Sequence, residues 1–326
     1  MNNHFKKVLL ESTQSRQILS IDTIQSLWSG YGEILRCQLD SDFISSAIVK
    51  HVCFPNKKNH PRGWNTGLSH QRKVRSYQIE TNWYQQWSKQ CDNSCRVPKT
   101  YALESLGEEV FMVMEDLDNQ GFNIRKNQVS FDEMLACLNW LASFHATFLG
   151  QKPDGLWKIG TYWHLATRPD ELKVLKDKAL KNAAVKIDQK LNSAQFKTFV
   201  HGDAKLANFC FSENNNQKHP IAAVDFQYIG GGCGMKDVAY FIGSCLNEDE
   251  CEFYQQQLLD SYFNFLNKAL TQQHKKIEFK QLQQEWRQLY PFAWTDFHRF
   301  IKGWSPGHWK INGYSERLVQ ETLELL

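Results

Sequence analysis

The sequence predicts an α+β fold with two lobes: a small lobe with an antiparallel sheet and one helix, and a larger, mainly helical lobe. Residues 43–54 form an apolar, β-branched run between turn-forming residues, which predicts a strand. A second pair of strands is predicted at 99–103 and 109–114. Residues 69–89 place aromatic and apolar side chains on one face, which predicts the helix of this lobe.

Helical spacing replaces these strand-like runs after Gly121. Ser130 and Glu133 form a capping box, which predicts the start of a helix. Three more helices are predicted in the last third of the chain, at about 248–270, 278–290 and 315–326. The second part of the chain is therefore expected to be mostly helical.

The two lobes are expected to span residues 1–118 and 119–326, with a connector at 115–121. A short connector between lobes acts as a hinge, and the cleft beside it is a common position for a small-molecule site. Polar loops are predicted at 55–67 and 212–220.

Composition and charge argue against several classes of protein. The 326 residues are 42% hydrophobic and 22% charged, and the formal net charge of +3 is too balanced for a nucleic-acid binder. No run approaches 18 apolar residues, so no membrane-spanning helix is predicted. The first ten residues lack the apolar core of an export signal, so we expect a cytoplasmic protein with nine free thiols. Nothing in the sequence indicates the oligomeric state.

The strongest functional signal is the octapeptide HGDAKLAN, which follows a strand-like run. The strands predicted at 209–211 and 221–224 form a hairpin whose open ends lie together. Asn208 precedes the first of these strands and Asp225 follows the second, while Asp203 lies in the loop just before. Two carboxylates and an amide oxygen are therefore expected to converge at one edge of a small sheet.

Phosphoryl transfer requires groups of these kinds. Mg²⁺ neutralises the charge on the phosphates and prefers hard oxygen ligands, which Asn208 and Asp225 offer. Asp203 is a separate carboxylate that can orient an acceptor hydroxyl and take its proton. Lys205 lies two residues further on and is expected to reach the γ-phosphate as a point charge. A polar turn beside a hairpin is the alternative, because Asp, Asn and Gly are common turn residues.

The pattern HGDxxxxN followed by DFQ resembles the catalytic and metal-binding loops of the protein-kinase-like fold in its small-molecule branch. This branch includes choline kinases, aminoglycoside phosphotransferases and the ecdysteroid kinase-like (CHK kinase-like) proteins, and the match is closest to the last group. The resemblance implies an ATP- and Mg²⁺-dependent phosphotransferase with Asp203 as the base and with Asn208 and Asp225 as magnesium ligands. Gly202 replaces the Arg of protein kinases and Gln227 the Gly of their DFG motif, and both changes fit the small-molecule branch.

The first lobe contains the counterpart of the lysine that contacts the α- and β-phosphates in kinases. Lys50 ends the sequence AIVK, which resembles the VAIK strand of that fold. Glu80 lies on the apolar face of the predicted helix with Tyr77 and Tyr84, where an unpaired carboxylate is costly. We therefore predict a Lys50–Glu80 ion pair. The alternative is that Glu80 lies at the edge of this face and reaches water.

Two other segments resemble nucleotide-binding parts of the same fold. Gly30 and Gly32 in SGYGE fit a flexible turn over the phosphates, although an ordinary hairpin turn explains them nearly as well. Residues 111–117 resemble the strand into the hinge, where backbone groups of Glu115 and Leu117 would bind adenine. The sequence EDL at its end is typical of the ecdysteroid kinase-like group, and the whole resemblance covers about residues 25–265.

The acceptor side is less well defined, although a small molecule with a hydroxyl group is expected. His145 and His201 are expected to have structural roles, and Asp237 either braces the catalytic loop or only begins a helix. The C-terminal aromatic residues either form a cage for a cationic substrate or pack in the core, and we favour packing. They include Trp294, Trp304 and Trp309.

The candidate acceptors are a steroid-like alcohol, choline or another amino alcohol, and an aminoglycoside. The alternative functions are a nucleotide-binding pseudokinase, a scaffold without turnover and, less favoured, a protein kinase. A pseudokinase would usually lack Lys50, Asp203 or Asp225, and all three are present. A protein kinase would need an activation segment with an APE-like anchor, which the sequence lacks after Asp225.

Overall fold

The computed structural model describes four stretches of the chain. These are residues 1–27, 30–54, 67–214 and 218–326. Ser29 of the predicted phosphate-covering turn and nearly all of the loop at 55–67 lie outside the described residues, as does part of the turn at 212–220. Among the described helices, none combines the length and the apolar character needed to cross a bilayer.

The first lobe is a five-stranded sheet in the order β1-β2-β3-β5-β4, and all its neighbouring strands are antiparallel. The strands are β1 (Gln17–Ser26), β2 (Gly32–Asp40), β3 (Ser46–Cys53), β4 (Thr100–Leu106) and β5 (Glu109–Glu115). Because side chains alternate along a strand, Val49 and Phe111 face one side of the sheet and Val52 and Met112 face the other. Both faces are covered, so the central strands are buried on both sides.

One face is covered by helix α1 (Asn3–Thr13), which the sequence pattern did not predict. The side chain of Asn2 caps this helix by accepting a hydrogen bond from the backbone of Phe5. Phe5 and Leu9 are fully buried, and the Phe5 ring stacks on Phe111 with 4.5 Å between centroids. The first lobe therefore has two helices, and the expectation of a single helix was wrong in this respect.

The other face packs on helix α2 (Gly67–Asn82), which continues into a π-helical turn over Trp83–Trp87. This element corresponds to the helix predicted at 69–89. Its exposed end is tied to the second lobe, because Asn82 Nδ2 donates to the carbonyl of Gly155 and Trp87 Nε1 to that of Asp154, at 2.8 and 3.0 Å. Helix α2 therefore has a fixed position beside the cleft.

The second lobe is mainly helical, as predicted. Its helices are α3 (Phe131–Phe148), α4 (Pro169–Val174), α5 (Lys178–Asn192), α6 (Met235–Cys245), α7 (Glu248–Gln272), α8 (Phe279–Trp304) and α9 (Gly313–Glu324). The capping box of Ser130 and Glu133 is present at the start of α3. The boundary between lobes at 118/119 stays a prediction.

Helix α8 is much longer than the predicted helix at 278–290. Pro291 lies inside this helix, and a proline at such a position removes one hydrogen bond and costs about 3 kcal/mol. The residues that follow, including Phe297 and Phe300, are buried. Each buried side chain of this size contributes about 1.5–3 kcal/mol, so burial offsets the proline and the helix continues.

Two small antiparallel sheets position the loops of the site. Strand β6 (Thr198–Val200) pairs with β9 (Gly230–Gly232), and β7 (Phe209–Phe211) pairs with β8 (Ile221–Ala223). The second pair is the predicted hairpin. All strand pairs in these sheets and in the five-stranded sheet are antiparallel. The fold class predicted from the sequence is therefore confirmed.

Candidate active site

The loop between β6 and β7 is held in shape by Asp237, near the start of α6. Its two carboxylate oxygens accept hydrogen bonds from the backbone N–H groups of His201 and Gly202, at 2.6 and 2.9 Å. His145 Nε2 lies 3.2 Å from the same carboxylate, and His145 is fully buried. Asp237 therefore braces this loop, and His145 has the structural position expected from the sequence.

Gly202 cannot be replaced without moving the loop. Its φ angle of +80° lies in the left-handed region, and an added Cβ would meet the carbonyl oxygen of Tyr228 at 2.1 Å. His201 is buried beside it, with Nε2 3.0 Å from the carbonyl oxygen of Val224. These contacts orient the loop toward the hairpin that carries Asp225.

Asp203 lies in this loop, and its buried carboxylate accepts hydrogen bonds from three side chains. Its Oδ2 accepts from Lys205 Nζ at 2.9 Å and from Asn208 Nδ2 at 3.2 Å, and its Oδ1 accepts from the hydroxyl of Tyr240 at 3.3 Å. Burial raises the pKa of Asp203, although the charge of Lys205 acts in the opposite direction. Asp203 is thus a carboxylate with an elevated pKa, which suits a proton acceptor.

Asn208 and Asp225 lie at the two ends of the β7–β8 hairpin, as predicted. The N–H of Val224 donates to the carbonyl of Asn208 at 3.0 Å, which sets the two chain ends side by side. The amide nitrogen of Asn208 donates to Asp203, so its amide oxygen faces away from Asp203. Asp225 Oδ1 is buried and, among the described residues, has no hydrogen-bond partner.

These two side chains fit the ligand set of a divalent metal ion. Asp225 Oδ1 lacks a hydrogen-bond donor and has Lys50 Nζ only at 3.7 Å, so a bound cation would satisfy it more fully. Mg²⁺ takes oxygen ligands, which both side chains supply. Burial alone would raise the pKa of Asp225, but Lys50 and Lys205 lower it below its ordinary value, so the carboxylate is charged.

Lys50 on β3 and Glu80 on α2 form the predicted pair within the first lobe. Lys50 Nζ lies 2.6 Å from Glu80 Oε2 and 3.7 Å from Asp225 Oδ1. Both members of the Lys50–Glu80 pair are buried. Burial alone would lower the pKa of Lys50, but the two carboxylates raise it above its ordinary value, so the amine stays charged.

Gln227 connects the metal-binding segment to helix α2, a role that sequence reasoning did not assign. Its Oε1 accepts hydrogen bonds from Lys73 Nζ at 2.7 Å and from Ser76 Oγ at 3.2 Å. Phe226 stacks on Trp83 with 4.7 Å between centroids. The segment after Asp225 is therefore fixed to the helix that carries Glu80. The sequence signal for this contact is Gln227 itself, which stands where the DFG motif of protein kinases has a glycine.

Gly30 lies between β1 and β2, and Gly32 is the first residue of β2. Both have positive φ angles, and a Cβ on Gly32 would lie 2.0 Å from the carbonyl oxygen of His51. The hydroxyl of Tyr31, between them, lies 2.7 Å from His70 Nδ1 of α2. Crowding by the backbone of His51 thus explains why a glycine is needed at position 32. That this turn covers the phosphates of a nucleotide stays a prediction.

The side chains of the EDL segment fix the connector between the lobes. Glu115 accepts from the backbone N–H of Lys99 at 3.0 Å, and Asp116 accepts from Arg36 Nε at 2.8 Å. The carbonyl of Leu117 accepts from the N–H of Phe122 at 2.9 Å. These acidic side chains therefore position the hinge backbone, and adenine binding by Glu115 and Leu117 stays a prediction.

The C-terminal tryptophans are not equivalent. Trp294 is buried in the core and its ring lies 5.3 Å from that of Tyr314. Trp304 stacks on Phe300 at 5.9 Å, whereas Trp309 is 56% exposed. Core packing, which the sequence favoured, therefore describes Trp294 and not Trp309.

Two family models match the chain. The model of the ecdysteroid kinase-like family matches residues 57–152, and a model described as "Uncharacterized oxidoreductase dhs-27" matches residues 170–296. No curated protein matches the chain.

Solved structures of small-molecule kinases share the fold along nearly the whole chain. The amicoumacin kinase hAmiN, solved with AMP-PNP, Ca²⁺ and Ami, is 14% identical with a TM-score of 0.54, over 98% of this chain and 92% of its own. The GDP complex of aminoglycoside 2'-phosphotransferase-IIIa is 11% identical with a TM-score of 0.51, over 99% of both chains. A microcompartment-associated aminopropanol kinase is 12% identical with a TM-score of 0.50, over 92% of this chain and 88% of its own.

These comparisons confirm the resemblance predicted from the sequence. The chain has the protein-kinase-like fold in the form found in small-molecule kinases, and part of it matches the ecdysteroid kinase-like family.

The Lys50–Glu80 pair is expected to contribute to the use of ATP. Lys50→Met should raise the KM for ATP, lower kcat, or both, because it removes the cation expected at the phosphates. A hydrogen bond to a charged group contributes about 1.5–3 kcal/mol, so kcat/KM should fall about 10- to 100-fold. Glu80→Gln should give a milder loss, since Lys50 keeps its charge and its contact with Asp225. Steady-state kinetics over a range of ATP concentrations measures both variants.

Lys7→Met is the matched control, because Lys7 is an exposed lysine of the same lobe. It should leave both constants unchanged, and thermal denaturation should show that all variants are folded. A larger loss for Glu80→Gln than for Lys50→Met would contradict a role for Glu80 in positioning the lysine.

Proposed function

We propose that this protein is an ATP- and Mg²⁺-dependent phosphotransferase that phosphorylates a hydroxyl group of a small molecule. The observation that carries the proposal is the convergence of Asp203, Asn208 and Asp225 at one end of a hairpin, opposite the buried Lys50. Asp225 Oδ1 has no hydrogen-bond partner among the described residues and lies 3.7 Å from Lys50 Nζ, which supports a metal ligand at this point.

Each group has a proposed role in the reaction. Asp203 orients the acceptor hydroxyl and takes its proton, and Lys205, 2.9 Å away, places a positive charge beside that carboxylate. Lys50 contacts the phosphates of the nucleotide, while Asn208 and Asp225 would hold Mg²⁺. When bound, Mg²⁺ neutralises negative charge on the phosphates. A related fold solved with AMP-PNP and Ca²⁺ supports a nucleotide and a divalent cation in such a cleft.

The alternatives have less support. A scaffold would not need a buried Asp203, and a pseudokinase would usually lack one of the charged groups that are present. Only residues 226–234 separate Asp225 from helix α6, which leaves no room for the activation segment of a protein kinase. The oxidoreductase in the name of the second family model would suggest a dinucleotide site. Such folds use a mostly parallel sheet, whereas the sheets described here are antiparallel.

Ligand-dependent thermal stability tests the proposal. ATP should raise the melting temperature, and Mg²⁺ should increase the shift, because a ligand that binds only the folded state stabilises it. Phosphate transfer should then be measured with amino alcohols, sterols, aminoglycosides and hydroxy acids as acceptors. Binding of ATP without transfer or hydrolysis would favour the pseudokinase, and no shift with any nucleotide would contradict the proposal.

A further inference from the structure

A lysine fills an aromatic cage beside the proposed base. Lys310 lies in the loop between α8 and α9, and its Nζ lies 4.7 Å from the ring centroid of Tyr240, 5.2 Å from Phe297 and 5.6 Å from Trp309. Three rings within 6 Å of one ammonium group is the geometry by which proteins bind cations through cation–π contacts. The cage therefore has an internal cation as its occupant.

The cage is directly connected to Asp203. Tyr240 contributes its ring to the cage and its hydroxyl to Asp203 Oδ1, at 3.3 Å. The hydroxyl of Tyr162 lies 3.2 Å from that of Tyr240 and extends the same surface. A single side chain thus separates the internal cation from the carboxylate that would face the acceptor hydroxyl.

Lys310 has no counter-ion within the described part of the chain. The other cations near this surface are paired, Lys205 with Asp203 at 2.9 Å and Arg168 with Glu171 at 3.2 Å. Burial lowers the pKa of Lys310 to about 8, although Asp203 acts in the opposite direction. A partly desolvated cation without a carboxylate partner is costly, and a ligand that supplies an anion removes this cost.

We propose that Lys310 is the built-in cation of the acceptor subsite, which selects alcohols that carry a carboxylate or phosphate group and excludes cationic amino alcohols. The aromatic cage cannot accept a quaternary ammonium group while the lysine occupies it, and the two positive charges repel each other. An anionic group of the acceptor would pair with Lys310 while its hydroxyl faces Asp203. This inference rests on the proposed function, because it assigns a substrate class to the same site.

A set of small alcohols that differ in charge tests the inference. Choline, its uncharged isostere with carbon in place of nitrogen, and β-hydroxypropionate each carry a hydroxyl group on a short chain and differ in charge. Their binding to the protein with Mg²⁺ and AMP-PNP can be measured by ligand-observed NMR titration, which reaches millimolar affinities. The proteins compared are the wild type, Lys310→Met, Lys310→Arg and the control Lys268→Met, which changes an exposed lysine of α7.

The wild type should bind β-hydroxypropionate at least about tenfold more tightly than choline, given the typical strength of such charge contacts. Lys310→Met should remove or reverse this preference, while Lys310→Arg and Lys268→Met should keep it. A wild type that prefers choline, or a ratio of affinities that Lys310→Met leaves unchanged, would overturn the inference.

The same samples separate this inference from the proposed function. ATP-dependent phosphate transfer, assayed in parallel, reports on the proposed function, whereas the ratio of ligand affinities reports on the cage without any turnover. A protein that shows the charge preference but transfers no phosphate would retain the subsite and lose the phosphotransferase proposal. Transfer to choline with no preference for the anion would support the phosphotransferase proposal and contradict the anionic subsite.

Discussion

Asp203→Asn should lower kcat by about 10²- to 10⁴-fold, the usual loss when a general base is removed. The affinity for ATP should stay within a few-fold of the wild type, because the proposed role of Asp203 is toward the acceptor and not the adenine. Rapid-quench or steady-state assays give kcat, and calorimetric titration with AMP-PNP gives the dissociation constant.

The structure indicates that this variant keeps its local geometry. The carbonyl oxygen of the introduced amide can accept from Lys205 and Asn208, as Oδ2 does now. Its amide nitrogen can donate to the hydroxyl of Tyr240, which rotates to accept. The hydrogen bonds to position 203 are therefore kept, and a loss of activity can be assigned to the missing proton acceptor.

The pH profile supplies an independent readout for the same residue. A base must be deprotonated to act, and burial raises the pKa of Asp203. The kcat/KM of the wild type should therefore fall with decreasing pH, with a pKa above that of an ordinary aspartate. The residual activity of Asp203→Asn should not show this fall at low pH. A collapse of ATP affinity along with activity would instead indicate a metal-binding role. Unchanged activity would mean that Asp203 is only a turn residue.

The parts of the site that the sequence predicted are those encoded locally. Asn208 and Asp225 flank two short strands that are close in the chain, so the hairpin alone brings them together. Lys50 and Glu80 are 30 residues apart in the sequence. A carboxylate on an apolar helix face needs a cation beside it, and this requirement indicated Lys50 as the partner. Each of these predictions needed only one element or one pair of elements.

The parts that the sequence did not predict depend on several elements at once. Helix α1 has a short apolar pattern, and it is stabilised by burial of Phe5 against the sheet. Helix α8 continues past Pro291 because of tertiary packing that a local rule for proline does not contain. The cage of Lys310 combines α6, α8 and a loop, so no spacing along the chain indicates it.

Replacement of the proposed metal ligand Asp225 should also strongly reduce turnover. Asp225→Asn should lower kcat by about 10³-fold or more, since a metal ion contributes several kcal/mol of transition-state stabilisation. Asn is a better replacement here than Ala, because Asp225 has a φ angle of +68° and Asn tolerates the left-handed region. The fold should therefore be kept, as thermal denaturation in the absence of ligands will show.

A metal ligand and a general base can be told apart by comparing Asp225→Asn with Asp203→Asn. The first should raise the Mg²⁺ concentration needed for half-maximal stabilisation by ATP, because the ion loses a charged ligand. The second should leave that concentration unchanged. Asp260→Asn is a matched control, because this half-exposed side chain on α7 lies outside the cleft and pairs only with Arg287 among the ion pairs described. If Asp225→Asn is folded and keeps both its turnover and its Mg²⁺ dependence, Asp225 does not bind the metal, and its contact with Lys50 is its only role among those described.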